Sequence, residues 1–250
     1  NMAAKRNNKT HNFGKKSFLR ILDSLTSTVE NLNVKLNNNF WGDYYNNKIL
    51  SNEYLENKKI LVNSYLASIK AETIYDLGAN NGIFSQIASK YCKQVISADL
   101  DHECVEANYL FCKKNNVTSI LPVFLNLCNP APSIGWQNNE RDGFFTRMKF
   151  DTILSLALFH HLAIGNNVPT QKIVDLFKDH CQNLVIEFIP LSDPKAQELL
   201  HNRENIFENL SQTDFEENFR RHFELLKSDK IKGSERILYL MRNKNEHTKR

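Results

Sequence analysis

Thr73-Ile74-Tyr75-Asp76-Leu77-Gly78-Ala79-Asn80-Asn81-Gly82-Ile83-Phe84-Ser85 joins an apolar run to a turn bounded by two glycines. A short apolar run closes on an acid, breaks at Gly78 and passes small polar residues to Gly82. It then resumes with Ile83, Phe84 and Ile87 at helical spacing. The pattern predicts a strand, a tight turn and a helix. Glycines at 78 and 82 let the backbone turn sharply, and the first amides of the new helix point at whatever lies over the turn.

A dinucleotide fingerprint requires G-x-G-x-x-G, and Asn80 occupies the place of its second glycine. Asp76-x-Gly78-x-x-x-Gly82 instead resembles the first motif of class I, Rossmann-fold S-adenosylmethionine-dependent methyltransferases. That resemblance implies a nucleoside ligand without a pyrophosphate, with Asp76 facing the methionine ammonium. Gly78, Asn80 and Gly82 would lie along the methionine end.

Working outward, Gln94 to Asp101 reads as a second strand ending in an acid, somewhat under 20 residues past the glycines. This is where such folds place the carboxylate that accepts both ribose hydroxyls. Asp99 is that candidate, with Leu100 beside it, and Asp101 suits the cap of the next helix. A third strand, Ser119 to Leu125, leads to Asn126 and Leu127. The family commonly has an acid there for the adenine amine; Asn126 departs from the pattern but keeps a carbonyl acceptor.

The fourth strand, Asp151 to Ala157, contains Ser155 and runs into Leu158-Phe159-His160-His161-Leu162. The Asn/Asp-Pro-Pro-aromatic motif of amino-methylating nucleic-acid enzymes is absent. The segment resembles the Leu-His-His of small-molecule methyltransferases. His160, and next to it His161, can take a proton from an acceptor hydroxyl, or the two rings only pack beside the methionine moiety. A fifth strand, Asn183 to Pro190, carries Glu187 in an apolar run. Burying it unpaired is costly, so it needs either a cation such as Arg236 or a ligand group. His160, Glu187 and His161 are therefore the catalytic candidates, and Asp76, Gly78, Asn80, Gly82, Asp99, Leu100, Asn126, Leu127 and Ser155 the cofactor-binding ones.

Together these segments predict an α/β architecture: a doubly wound, mostly parallel seven-stranded sheet with an antiparallel C-terminal hairpin (222–227 and 234–241), plus N-terminal helices. Residues 59–243 would form the Rossmann-like domain, with a helical insertion at 191–221 lining the acceptor pocket. Ahead of it, 17–58 hold an amphipathic helix (Phe18, Leu22, Leu25, Val29, Leu32 and Leu36) and an aromatic segment, Phe40-Trp41-Gly42-Asp43-Tyr44-Tyr45. Trp41, Tyr44 and Tyr45 either plug two helices together or form a lid over the ligand. In the long connection after the third strand, Trp136 and Arg141 either shape the acceptor pocket or anchor the loop.

The net charge of +4 is distributed unevenly. Residues 1–20 carry six cations and no acid, and 242–250 a net +3, which leaves −5 for the segment between. A basic footprint on a folded face, as nucleic-acid binding needs, is not expected; residues 1–16 and 244–250 read as mobile tails. No apolar run is long enough to cross a membrane and no signal peptide is visible. Five cysteines lie scattered without metal-ligand spacing, so neither a metal site nor disulfides are expected, and reduced thiols fit a cytoplasmic location.

The combination of Asp-Leu-Gly-Ala-Asn-Asn-Gly, Asp99, His160-His161 and Glu187 also resembles a narrower bacterial group of nodulation-related, methyltransferase-like proteins, in which such a domain follows an unrelated half. The resemblance implies S-adenosyl-L-methionine as cofactor, S-adenosyl-L-homocysteine as product, and a small-molecule acceptor methylated on oxygen or nitrogen. It also implies either part of a longer chain or a stand-alone version. A cofactor-binding scaffold that docks a protein partner through the Phe18 to Leu36 helix is the alternative from another class. RNA methylation ranks below both.

Overall fold

A computed structural model of the chain describes residues 13–32, 51–147, 150–201 and 210–245. The expected tails beyond these limits, Trp41, Tyr44 and Tyr45 of the aromatic segment, and 202–209 of the insertion lie outside the described residues. The chain divides into two compact units, 1–37 and 38–250. In the first, helix α1 (Lys15–Glu30) begins at Gly14, and Phe13 packs edge-on against Phe18.

The second unit opens with α2 (Asn52–Ala67), whose cap is Ser51: its Oγ accepts the amide of Tyr54 at 3.1 Å. Strands and helices then alternate: β1 (Thr73–Leu77), α3 (Ile83–Ala88), β2 (Gln94–Asp99), α4 (His102–Lys114) and β3 (Ile120–Phe124). A short α5 (Phe144–Arg147) precedes β4 (Thr152–Ser155), α6 (Thr170–His180) and β5 (Asn183–Phe188). Helices α7 (Pro194–Leu200) and α8 (Gln212–Arg220) lead to β6 (Phe223–Lys230) and β7 (Ile237–Asn243).

The seven strands form one sheet in the order β3-β2-β1-β4-β5-β7-β6. All neighbours are parallel except β7, which runs antiparallel to both β5 and β6, as the terminal hairpin requires. A register shift between Leu225 and Lys227 bends β6 at this edge.

Both faces of the sheet are covered, which explains why β4 and β5 read as continuous apolar runs rather than alternating ones. On one face, Tyr54, Val62 and Leu66 of α2, Phe84 of α3 and Cys112 of α4 pack against Ile74, Val95, Leu154, Val185 and Leu240. On the other, Val174 and Phe177 of α6 with Phe215 and Phe219 of α8 meet Tyr75, Ile153, Leu184 and Tyr239. Each such side chain contributes about 1.5–3 kcal/mol by leaving water. Strand order reverses between β1 and β4, so the chain leaves these neighbours toward opposite faces and a crevice opens at their C-terminal ends.

Candidate functional site

The crevice is a cleft of about 610 Å³ walled by the ends of β1, β2, β3 and β4 and the segments that follow them. Its floor is the glycine turn. Gly78 has a φ of +75° and Gly82 one of +81°, values that only glycine adopts cheaply. The amides of Gly78 and Ala79 both donate to the carbonyl of Ala98, at 2.9 and 3.0 Å, which ties the turn to β2.

Behind Gly82 a buried polar chain locks four elements together. Ser85 of α3 donates to Asp76 of β1 at 2.6 Å and shares a hydrogen bond of 2.7 Å with Ser97 of β2. Ser97 in turn accepts Asn108 Nδ2 of α4 at 2.7 Å. A Cβ on Gly82 would meet the Asn108 carboxamide at 2.4 Å, so this glycine is needed for packing as well as for its φ. Asp76 itself is 1% exposed and points into this interior rather than at the cleft. Burial pushes its carboxyl up to about 6, against the Ser85 hydrogen bond and the nearby Lys58 cation.

Asp99, at the end of β2, is on the cleft wall. One carboxylate oxygen accepts the amide of Asn80 at 2.7 Å and the other the amide of Asp101 at 2.9 Å. Each oxygen keeps a second lone pair, so the group is held in place yet can accept two more donors. Asp101 lines the cleft too and caps α4 by accepting the amide of Glu103 at 2.8 Å. Asn126 is on the wall, but its side-chain carbonyl already accepts the amide of Cys128 at 2.9 Å. Leu100 and Leu127 provide apolar surface.

Gly78, Asn80, Asp99, Leu100, Asn126, Leu127 and His161 of the sequence candidates thus come together around one space. The other described candidates do not lie on its wall. Gly82 and Asp76 stand behind the turn, Ser155 is fully buried in β4, and Trp136 is 78% exposed on a 3-10 turn in a loop closed by an Ile134–Arg141 bridge.

The two histidines separate because the chain after Leu158 winds into a π-helical turn, His161–Gly165. His161 reaches the cleft wall, where burial holds its imidazole down to about 4, while His160 lies behind it, 2% exposed. Ala157, also on the wall, has a φ of +53°, a conformation that costs a non-glycine residue about 1–3 kcal/mol.

Glu187 belongs to a separate buried charge network. Its Oε2 pairs with Lys58 Nζ at 2.6 Å, and its Oε1 accepts Tyr54 Oη at 2.6 Å with Arg236 Nη1 at 3.6 Å. Arg236 also donates to Tyr54 Oη at 2.9 Å and grips Asp193 through two nitrogens, at 2.7 and 2.9 Å. Two cations and two carboxylates balance, and α2, β5, β7 and the cap of α7 are joined. Burial drives Lys58 down against the pull of Glu187, whereas Glu187 sits below the usual carboxylate range because Lys58 and Arg236 outweigh its own burial. Sequence reasoning named Arg236 as a partner and missed Lys58 and Tyr54. The only signal available was a lysine on the apolar side of α2, which is ordinary for a long side chain that can reach water.

The lining has a distinctive charge. Asp99, Asp101 and Glu103 contribute three carboxylates, and no lysine or arginine is among the described residues of the wall. Such a site repels a pyrophosphate and favours a ligand carrying positive charge.

No family model matches the chain. Nodulation protein NoeA of Rhizobium meliloti (strain 1021) is 32% identical over 229 residues, which cover 90% of this chain; the chain spans 48% of NoeA's length. Among solved structures, N-methyltransferase NodS from Bradyrhizobium japonicum WM9 superposes with a TM-score of 0.55 at 13% identity, covering 78% of this chain and 99% of NodS. NodS in complex with S-adenosyl-L-homocysteine gives 0.54 at 12%, covering 77% and 88%. The methyltransferase domain of bacterial CtHen1-C gives 0.54 at 12%, covering 76% and 98%. The seven-stranded sheet with its antiparallel last strand, the cleft at the β1/β4 reversal and these superpositions together make this a chain with the class I methyltransferase fold.

Proposed function

We propose that the protein is an S-adenosyl-L-methionine-dependent methyltransferase. The observation that carries the reading is the acidic cleft: three carboxylates and, among the described residues, no lysine or arginine surround a space of the size that small ligands occupy. A sulfonium and an ammonium suit that charge, and a dinucleotide does not. The residues present fit such a cofactor. Asp99, anchored by two backbone amides, would take the ribose hydroxyls; Leu100 and Leu127 would flank the base, and the Asn126 side chain would meet its edge. The glycine turn would lie under the methionine end, because Gly78 and Asn80 are on the cleft wall there.

When bound, the cofactor supplies an activated methyl group. The protein's part is in-line placement and exclusion of water. Glu187 is engaged by Lys58 and Tyr54, so of the described catalytic candidates His161, on the cleft wall, would be the one to meet the acceptor. Isothermal titration with S-adenosyl-L-methionine, S-adenosyl-L-homocysteine and NAD tests the reading. Heat with the first two is expected, and heat with NAD alone would overturn it.

A further inference from the structure

Helix α1 has an apolar face that its own unit cannot bury. At about 3.6 residues per turn, Phe18, Ile21, Leu22, Leu25 and Val29 fall within about 100° of its circumference, and Leu32 continues the stripe past the last turn. No residue of α1 is buried, and it is the one described helix of the first unit, so that unit offers the stripe nothing to pack against. Phe13 adds a second ring at the N-terminal end through its edge contact with Phe18.

The charges of the helix are sorted along its length. Lys15 and Lys16 occupy the first turn and Arg20 follows, whereas the acids, Asp23 and Glu30, come later. None of these three cations is in an ion pair among the described residues. Two lysines in the first turn also oppose the helix dipole, whose N-terminal end is already positive, so nothing local to the helix favours them there. The sequence ahead adds Lys5, Arg6 and Lys9, which makes six cations and no acid over residues 1–20. Whatever covers the stripe therefore meets apolar surface and concentrated positive charge side by side. An anionic bilayer presents the matching pair, acyl chains beneath a layer of phosphates.

A second copy of the chain matches less well. Parallel pairing would bring the cations of two chains together. Antiparallel pairing would leave Lys16, Arg20, Asp23 and Glu30 on the outer faces, since all four lie on the side of the helix away from the stripe. The stripe is also only about 21 Å long and about 10 Å wide, short of the roughly 800 Å² that each partner of a stable complex buries. No described helix is long and apolar enough to cross a membrane, so α1 could only lie in the plane of the surface.

We infer that α1 docks the protein on an anionic membrane surface, its stripe among the upper acyl chains and its N-terminal cations at the phosphates. The inference does not depend on the methyltransferase reading.

Co-sedimentation of the full chain with unilamellar vesicles tests it, using phosphatidylcholine alone and phosphatidylcholine mixed equally with phosphatidylglycerol. Binding to the anionic vesicles is expected, at least about tenfold stronger than to the neutral ones, and weakening between about 0.1 and about 0.5 M NaCl. Lys15→Gln/Lys16→Gln/Arg20→Gln keeps the stripe and should weaken anionic binding about 100-fold. Leu22→Asp/Leu25→Asp keeps the cations and should weaken it about tenfold or more, with Tm within about 2 °C of the wild type.

Four results would overturn the inference. They are no binding to anionic vesicles, equal binding to both kinds, anionic binding that survives Leu22→Asp/Leu25→Asp, and a clearly lower Tm in that variant, which would place the stripe against the chain itself. Analytical ultracentrifugation supplies the remaining reading. A wild-type dimer that Leu22→Asp/Leu25→Asp converts to a monomer would make a second copy the occupant and overturn the inference too.

Discussion

Replacing Lys58 by Met should destabilise the protein severely while leaving the cleft intact. Lys58 and Glu187 are both fully buried and 2.6 Å apart. Removing one member of such a pair leaves the other charge without compensation, at a cost of about 3–5 kcal/mol. Glu187 would retain Tyr54 Oη at 2.6 Å and Arg236 at 3.6 Å, so the lower end, about 3 kcal/mol, is expected. For a chain of this size that is a drop in Tm of about 6–12 °C. Glu187→Gln behaves differently, because the orphaned lysine can escape by releasing its proton. Its depressed folded pKa lies below the unfolded 10.5, so the native state binds fewer protons, and stability should rise with pH through that interval. The double variant Lys58→Met/Glu187→Gln should recover at least about 1–2 kcal/mol relative to the sum of the single effects. Urea unfolding followed by circular dichroism, at two pH values, measures all three. A Lys58→Met penalty under about 1 kcal/mol, or strict additivity in the double variant, would refute the claim that the pair holds α2 to β5.

Asp76 should make stability fall as pH rises. Its folded pKa of about 6 lies above the unfolded 3.8, so the native state holds the extra proton between those values and a penalty of about 3 kcal/mol is complete by pH 7. Asp76→Asn should therefore gain on the wild type by about that amount from pH 4 to pH 7 in urea unfolding, and a constant difference would contradict it. Gly82→Ala combines a φ of +81° with a Cβ 2.4 Å from the Asn108 carboxamide, which Ser97 prevents from swinging aside. A loss of about 2–3 kcal/mol by the same measurement is expected, and a loss below about 1 kcal/mol would show that Asn108 moves freely.

The frame was legible in the sequence because it rests on local chemistry. The run from Thr73 to Ser85 contains its own strand, glycine turn and helix start, and Asp99 closes the next strand at a spacing set by one helix between two neighbours. The site's finer geometry depends on orientation and on distant partners. Asp76 stands one residue before the end of β1, yet its side chain faces α3, where Ser85 meets it. Which of two adjacent histidines reaches the cleft is decided by a π-helical turn, and periodicity in the sequence gives no sign of one. Glu187 announced that it needed a partner, but Lys58 and Tyr54 come from α2, more than a hundred residues earlier in the chain. Trp136 left two readings open, pocket wall or loop anchor; the loop that carries it pairs with itself and leaves the ring exposed.

We propose that the cleft at the β1/β4 reversal grips an adenosyl cofactor by the carboxylate of Asp99. Calorimetric titration of S-adenosyl-L-homocysteine into the wild type and Asp99→Ala tests it most directly, with a melting curve of each. One site is expected on the wild type, with an affinity lower by about tenfold or more in a variant that still folds, equivalent to at least about 1.4 kcal/mol. Equal affinity in the two proteins would contradict it.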